Sequence, residues 1–293
     1  MTSRTRACVS AIALCLTLGT ATRASAQVRW DRGQNVAPVF EGWELNPDGT
    51  FNMVFGYMNR NYEEIPHIPV GPNNFFEPGP VDREQPARFY PRRQGFVFKV
   101  QVPADWGDKD LVWTLTHQGR TDQAYGSLWP VWELDNVVVK KNRNRGAKID
   151  IPDDNQDPTI TLQGGDERAV TLADTLTLTA VVSDDGVPGP GPPPRRARAE
   201  KPSPTTQAAV DARVAGETGL AVTWILYRGL GTVTFDPVSI PVQGGRGGET
   251  VTTVSFSDAG TYVLRAYADD SILTTPLDVT VTVKPDASSQ VRR

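Results

Sequence analysis

Seven aspartates stand in three short runs: Asp153-Asp154 with Asp157, then Asp184-Asp185, then Asp269-Asp270. Carboxylates crowded into flexible segments are what a hard cation such as calcium takes, with roughly six to eight oxygens around it. No EF-hand spacing is present. Each run taken alone is equally well explained by Asp capping a turn through nearby backbone N–H groups. Calcium is therefore the one cofactor the sequence suggests, and it requires the three runs to meet in space.

A second chemistry rests on aromatics. Sugar sites use exposed rings with a few polar groups, and Trp106, Trp129, Tyr62 and Tyr90 are the candidates for ligand binding. Trp106 sits in Pro103-Ala-Asp-Trp-Gly-Asp108, a turn-like context in which exposure is expected. Trp43 and Trp113 read as core, and packing is the competing explanation for the whole set, since aromatics dominate β cores. Catalysis has weaker footing. The two histidines, His67 and His117, are far apart, and there is no Gly-x-Ser-x-Gly, phosphate loop or His-x-x-x-His pair. Carboxylates are plentiful, but no acid, base and nucleophile set marks a hydrolase.

The chain opens with Arg4 and Arg6, runs through an apolar stretch from Ala7 to Leu18, and reaches Ala24-Ser-Ala26. This is the pattern of a secretory signal peptide, with cleavage expected after Ala26. The apolar run is too short for a permanent anchor, so the expected location is periplasmic or secreted, with no transmembrane segment. Both cysteines, Cys8 and Cys15, fall in the leader. The mature fold must then be held by apolar packing without disulfides. Removing Arg4, Arg6 and Arg23 from the 30 basic residues leaves 27 against 34 acidic ones, a net charge of −7. An acidic chain is a poor match for nucleic acid, whose binding rests on phosphate neutralisation.

Residues 27–150 read as an all-β domain. Phe51, Met53, Phe55 and Tyr57 share one face of a strand at Phe51–Asn59. Gly95–Val102 and Leu111–Thr116 alternate in the same way, and His117 extends the face of Leu111, Trp113 and Leu115. Asn46-Pro-Asp-Gly49 should turn a strand at Val39–Leu45 into the Phe51 strand. A last strand is expected at Val131–Val139, and no helix. Seven prolines between Arg60 and Gln94 exclude central sheet, while Tyr62, Phe75, Phe76, Phe89 and Tyr90 suggest an ordered loop lying on the sandwich. Gly56-Tyr-Met-Asn-Arg-Asn-Tyr-Glu-Glu64 and Ile68-Pro-Val-Gly-Pro-Asn-Asn74 resemble an N-terminal region of uncharacterised secreted bacterial proteins. That resemblance implies a self-contained unit and no site residues.

After an acidic linker at 151–158, residues 159–285 alternate again. Strands are expected at Thr159–Leu162, Thr175–Val182, Leu220–Tyr227, Thr232–Phe235, Thr250–Phe256, Gly260–Ala268 and Pro276–Val283. Tyr262, opening a strand after Asp258-Ala-Gly-Thr, matches a tyrosine corner, and Trp224 the tryptophan of the facing sheet. The expected fold class is all-β, two β-sandwich domains, the second immunoglobulin-like. Such a topology would bring the linker and the loops after the second and sixth strands to one end, and with them the three Asp runs. Leu176-Thr-Leu-Thr-Ala-Val-Val-Ser-Asp-Asp-Gly186, Val222-Thr-Trp224, Gly231-Thr-Val-Thr-Phe235 and Gly260-Thr-Tyr-Val-Leu264 resemble a PKD-type (polycystic kidney disease) domain of bacterial secreted proteins. The resemblance implies a spacer or binding module. A Pro- and Arg-rich insert at 187–219 departs from it and reads as a disordered surface loop, with Arg195, Arg196, Arg198 and Lys201 as a weak docking patch for acidic polymers. A polar tail occupies 286–293.

The functional expectation is a secreted, non-catalytic binding or adhesion protein whose first domain recognises an extracellular polysaccharide or envelope protein. The alternative is a structural cell-envelope subunit. A hydrolase would need carboxylates converging in a cleft.

Overall fold

A computed structural model describes residues 30–135, 154–187 and 219–286. The described residues from Asp31 onward belong to one compact unit. The expected leader, Asp153, nearly all of the insert and the tail beyond residue 286 lie outside the described residues.

In the first sandwich, β1 (Val36–Leu45), β2 (Phe51–Asn59) and β4 (Arg92–Val102) form one antiparallel sheet, in the order β1-β2-β4. β3 (Asn74–Glu77), β5 (Leu111–His117) and β6 (Arg120–Gly126) form the other, in the order β3-β5-β6. The period-two faces drive this arrangement. Met53, Phe55 and Tyr57 are buried with Phe98, Val100, Leu111, Trp113 and Leu115. Phe55, Phe76, Phe98 and Trp113 meet at ring-centroid distances of 5.0 to 6.1 Å, the range in which aromatic pairs attract beyond their area burial. The Asn46–Gly49 turn forms as expected: the Gly49 N–H donates to the Asn46 carbonyl at 3.0 Å, and Gly49 takes φ +84°.

Two features depart from the strand expectations here. Residues 131–135 are not a strand. Pro130–Trp132 is a 3-10 turn, because the Trp132 N–H returns to the Trp129 carbonyl instead of crossing to a neighbour. Glu133 alone bridges to Trp43. The Pro-rich stretch also contains β3, which sits at a sheet edge where flanking prolines cost no ladder bonds. Elsewhere in that stretch buried amides stand in for a ladder. Asn59 donates to the Glu64 and Phe89 carbonyls. Asn74 donates to those of Ile68 and Pro86 and accepts from Trp113 Nε1.

In the second sandwich, β11 (Val233–Asp236), β13 (Gly247–Phe256), β9 (Leu176–Ser183) and β7 (Thr159–Leu162) make one sheet in that order. The facing sheet runs β12 (Ser239–Pro241), β10 (Ala221–Arg228), β14 (Gly260–Asp269), β15 (Thr274–Lys284) and β8 (Glu167–Thr171). β8 pairs parallel to β15 and the other pairs are antiparallel. This is an immunoglobulin-like sandwich. Its tyrosine corner is present: the Tyr262 hydroxyl donates to the Asp258 carbonyl at 2.7 Å, and the ring lies 4.9 Å from Phe256. Trp224 is fully buried on β10 and stacks on Phe235. β8 and β12 lie outside the expected strands.

The two sandwiches share strands β10 and β14. On β10, Val222, Trp224 and Leu226 enter the second core, while Ile225 and Tyr227, with Tyr267 of β14, join the first. Residues 82–97 meet this outer face. The Ala87 N–H donates to the Tyr227 carbonyl at 3.1 Å. The Tyr90 hydroxyl donates to the Leu226 carbonyl and accepts the Leu226 N–H, each at 3.0 Å. Arg88 donates to the carbonyls of Gly229, Leu230 and Gly231. Arg228 pairs with Asp82 at 2.8 Å. Arg265 is buried, grips Asp278 through two nitrogens, donates to the Val97 carbonyl at 2.7 Å and lies 3.6 Å from the Tyr227 ring centre. The Pro-rich stretch is thus ordered, but its second half faces the partner sandwich as well as its own.

Truncating Arg265 leaves Asp278 and the Val97 carbonyl without their donor. Arg265→Ala should cost about 3 kcal/mol, the low end for breaking a buried pair because Asp278 is partly solvated. Denaturant unfolding should show one transition for wild type and variant, since the first core is completed by Ile225, Tyr227 and Tyr267 of the second sandwich.

Candidate functional site

The ring candidates separate by burial. Trp106 is not exposed: it is 6% accessible, belongs to the first core, and donates from Nε1 to the Lys109 carbonyl at 2.7 Å. The polar sequence around it forms a turn that folds the indole inward. Tyr90 is also buried, and its hydroxyl is spent on β10. Burial raises its phenol pKa, so it stays a neutral donor. Neither residue can stack on a ligand. Tyr62 is half-buried beneath the Arg92 guanidinium, 4.1 Å from the ring centre.

Trp129 is exposed at 65%, and Val131 and Trp132 beside it at 80% and 45%. Of these three, only Trp129 is among the candidates drawn from the sequence. The turn carrying them is pinned. Trp43 Nε1–H donates to the Trp129 carbonyl at 2.9 Å, and the Leu134 N–H to the Trp43 carbonyl at 2.8 Å. Gly42 has no room for a Cβ against the Trp132 carbonyl and Leu134, so the turn lies flat on β1. Trp132 also meets Phe40 edge-on at 5.7 Å.

The acidic runs divide in a different way. Asp154 and Asp157 are exposed. Asp269 accepts from the Ser271 N–H and the Thr274 hydroxyl. Asp185 accepts from the Gln156 and Val187 N–H groups. Asp270 accepts the Ile272 and Leu273 N–H groups through Oδ1, and Asp184 accepts the Gly186 N–H through Oδ2. These are the turn-capping bonds anticipated for Asp. Among the described residues no three Asp, Glu, His or Cys side chains gather as a metal-holding group. Yet Asp270 Oδ2, Asp184 Oδ1 and both amide atoms of Asn155 are buried without a hydrogen-bond partner. Asn155 went unnoticed in the sequence because an Asn between acids reads as turn composition. Burial pushes the Asp270 carboxyl from 3.8 up to about 6, against the lowering effect of the Leu273 and Ile272 N–H groups. Burial also raises Asp184.

The histidines stand apart. His67 bridges to Arg88 across the Pro-rich stretch, and burial, then Arg88, lowers its pKa. His117 ends β5 opposite Arg120.

No family model matches this chain, and no curated protein matches it. Solved structures similar to it include domains 4 and 5 of the S-layer protein SbsC, at 13% identity and TM-score 0.24, covering 60% of this chain and 66% of that one. The D00–D0 domain of intimin is 12% identical with TM-score 0.26, covering 85% and 99%. Fibronectin(III)-like modules of CbhA from Clostridium thermocellum are 11% identical with TM-score 0.21, covering 89% and 93%. Likeness of this order carries no functional inference.

Trp106→Ala should cost about 3–5 kcal/mol in denaturant unfolding, whereas Trp129→Ala should stay within about 0.5 kcal/mol of wild type. Because the folded Asp270 pKa lies above its unfolded value, the folded chain holds a proton that the unfolded chain has lost between about 6 and 3.8. Stability in chelator should therefore rise as pH falls from 7 towards 5. Asp270→Asn, which is already neutral, should lack that rise when melting curves are compared across the same range.

Proposed function

We propose that this chain is a secreted, non-enzymatic recognition protein. Its first sandwich binds an extracellular glycan through the Trp129–Trp132 turn, and its second serves as a rigidly attached spacer. The observation that carries the reading is the pair of exposed indoles on a turn fixed to β1 by the Trp43 bonds. Large apolar side chains held outward in a set geometry lose little conformational freedom on binding, and indoles offer a flat face with an N–H at the edge. The PKD-type resemblance of residues 159–285 supports the spacer role, and the signal-like residues 1–26 support secretion. The welded interface means the second sandwich would present the first at one angle instead of trailing on a hinge.

The test uses residues 27–293 whole, since the first core is completed by Ile225, Tyr227 and Tyr267. The protein is incubated with a panel of insoluble polysaccharides, peptidoglycan and envelope protein fractions, and retention is measured. Saturable retention on a polysaccharide, reduced about tenfold or more by Trp129→Ala with Trp132→Ala, is the expected result. Retention on envelope protein alone would favour the structural subunit, and polysaccharide retention untouched by the double variant would move the site elsewhere.

A further inference from the structure

Asn155, Asp184 and Asp270 come from three different segments: the approach to β7, the end of β9 and the end of β14. Two contacts tie these segments together. The Gln156 N–H donates to Asp185 Oδ2 at 2.9 Å, joining the first to the second. The Asn155 side chain lies beside the Asp270 carboxylate, joining the first to the third. Asp270 is 1% accessible and Asn155 5%. The backbone N–H groups of Gly186, Ile272 and Leu273 occupy one oxygen of each carboxylate and hold it in place. The other oxygen of each, Asp184 Oδ1 and Asp270 Oδ2, has no donor, and neither does Asn155 Oδ1.

Leaving such atoms buried and unsatisfied is among the costlier things a fold can do. Here the orphans are mostly acceptors, and two belong to carboxylates. An incoming hydrogen-bond donor would satisfy one of them, whereas a dication can take several oxygens at once and offset carboxylate charge. We propose that this end of the second sandwich is a divalent-cation site of the calcium class, with Asn155, Asp184 and Asp270 as side-chain ligands. The ligand set is all oxygen, without the His or Cys that transition metals favour. It mixes a neutral amide with carboxylates on separate loops, which suits the irregular, expandable shell of calcium better than the strict octahedron of magnesium. Backbone carbonyls or water would complete the shell. Of the seven aspartates the sequence offered, Asp184 and Asp270 fill this role. Asp185 and Asp269 shape the loops around it.

The experiment takes residues 27–293 stripped with EDTA and follows thermal unfolding and titration calorimetry with calcium and, separately, magnesium. Calcium should raise the melting temperature by several degrees and bind one ion, with magnesium weaker. Asp270→Asn keeps the Oδ1 acceptor for Ile272 and Leu273 and removes the charge. It should melt in EDTA no lower than wild type, yet bind calcium roughly tenfold or more weakly, since affinity follows ligand charge. Asp184→Asn provides the same comparison from another loop. No heat and no melting shift with wild type would overturn the site, as would a calcium response undiminished in both variants.

Discussion

One sheet face sets the architecture. β10 and β14 are buried on both sides, so that the strand carrying Trp224 into the second core carries Ile225 and Tyr227 into the first. Both sandwiches therefore depend on the same two strands. The polar bonds across the seam follow from this burial. A buried sheet face covered by a Pro-rich segment needs its backbone groups satisfied. Tyr90 serves Leu226, Ala87 and Arg88 serve Tyr227, and Arg265 serves Val97. Arg265 is the costliest of these to remove, because its charge is matched by Asp278 and by the face of Tyr227.

The Pro-rich stretch makes this seam possible. Seven prolines between residues 60 and 94 forgo ladder donors, and buried Asn59, Asn61, Asn74 and Gln85 replace them side chain by side chain. The result is an ordered surface without a regular element, shaped to a partner more than 130 residues away in the chain, as the Tyr90–Leu226 bonds show. It also removes the hinge that an acidic linker between two domains would suggest. An ion bound at Asn155, Asp184 and Asp270 would stiffen loops of the second sandwich, whereas the orientation of the two sandwiches is held at the seam.

The two candidate sites differ in the same physical respect. The tryptophan turn exposes apolar rings that the fold has chosen not to bury. The loop end buries acceptors that the fold has not satisfied. Each is a local departure from what a self-sufficient sandwich would do; the first is held by the Leu134 bond to Trp43 of β1, and the second by the Gly186, Ile272 and Leu273 N–H groups within its own loops.

The sequence by itself determined the fold of the second sandwich and seven of its nine strands. Alternation is a local property, so Phe51–Asn59 and Thr159–Leu162 could be placed to the residue, and Tyr262 four residues after Asp258 carries its own corner geometry. The edge pieces β8 and β12 were not legible because neither buries a residue fully, so no apolar alternation marks them. Only the tertiary structure decided which aromatic is a surface and which is a core. Trp106 looked exposed from its polar neighbours and is buried, and Tyr90 looked available and is tied to β10. It also decided that Asn155, and not the more numerous flanking acids, lies against Asp270. Burial depends on what arrives from distant parts of the chain, and no pattern within a dozen residues contains that information.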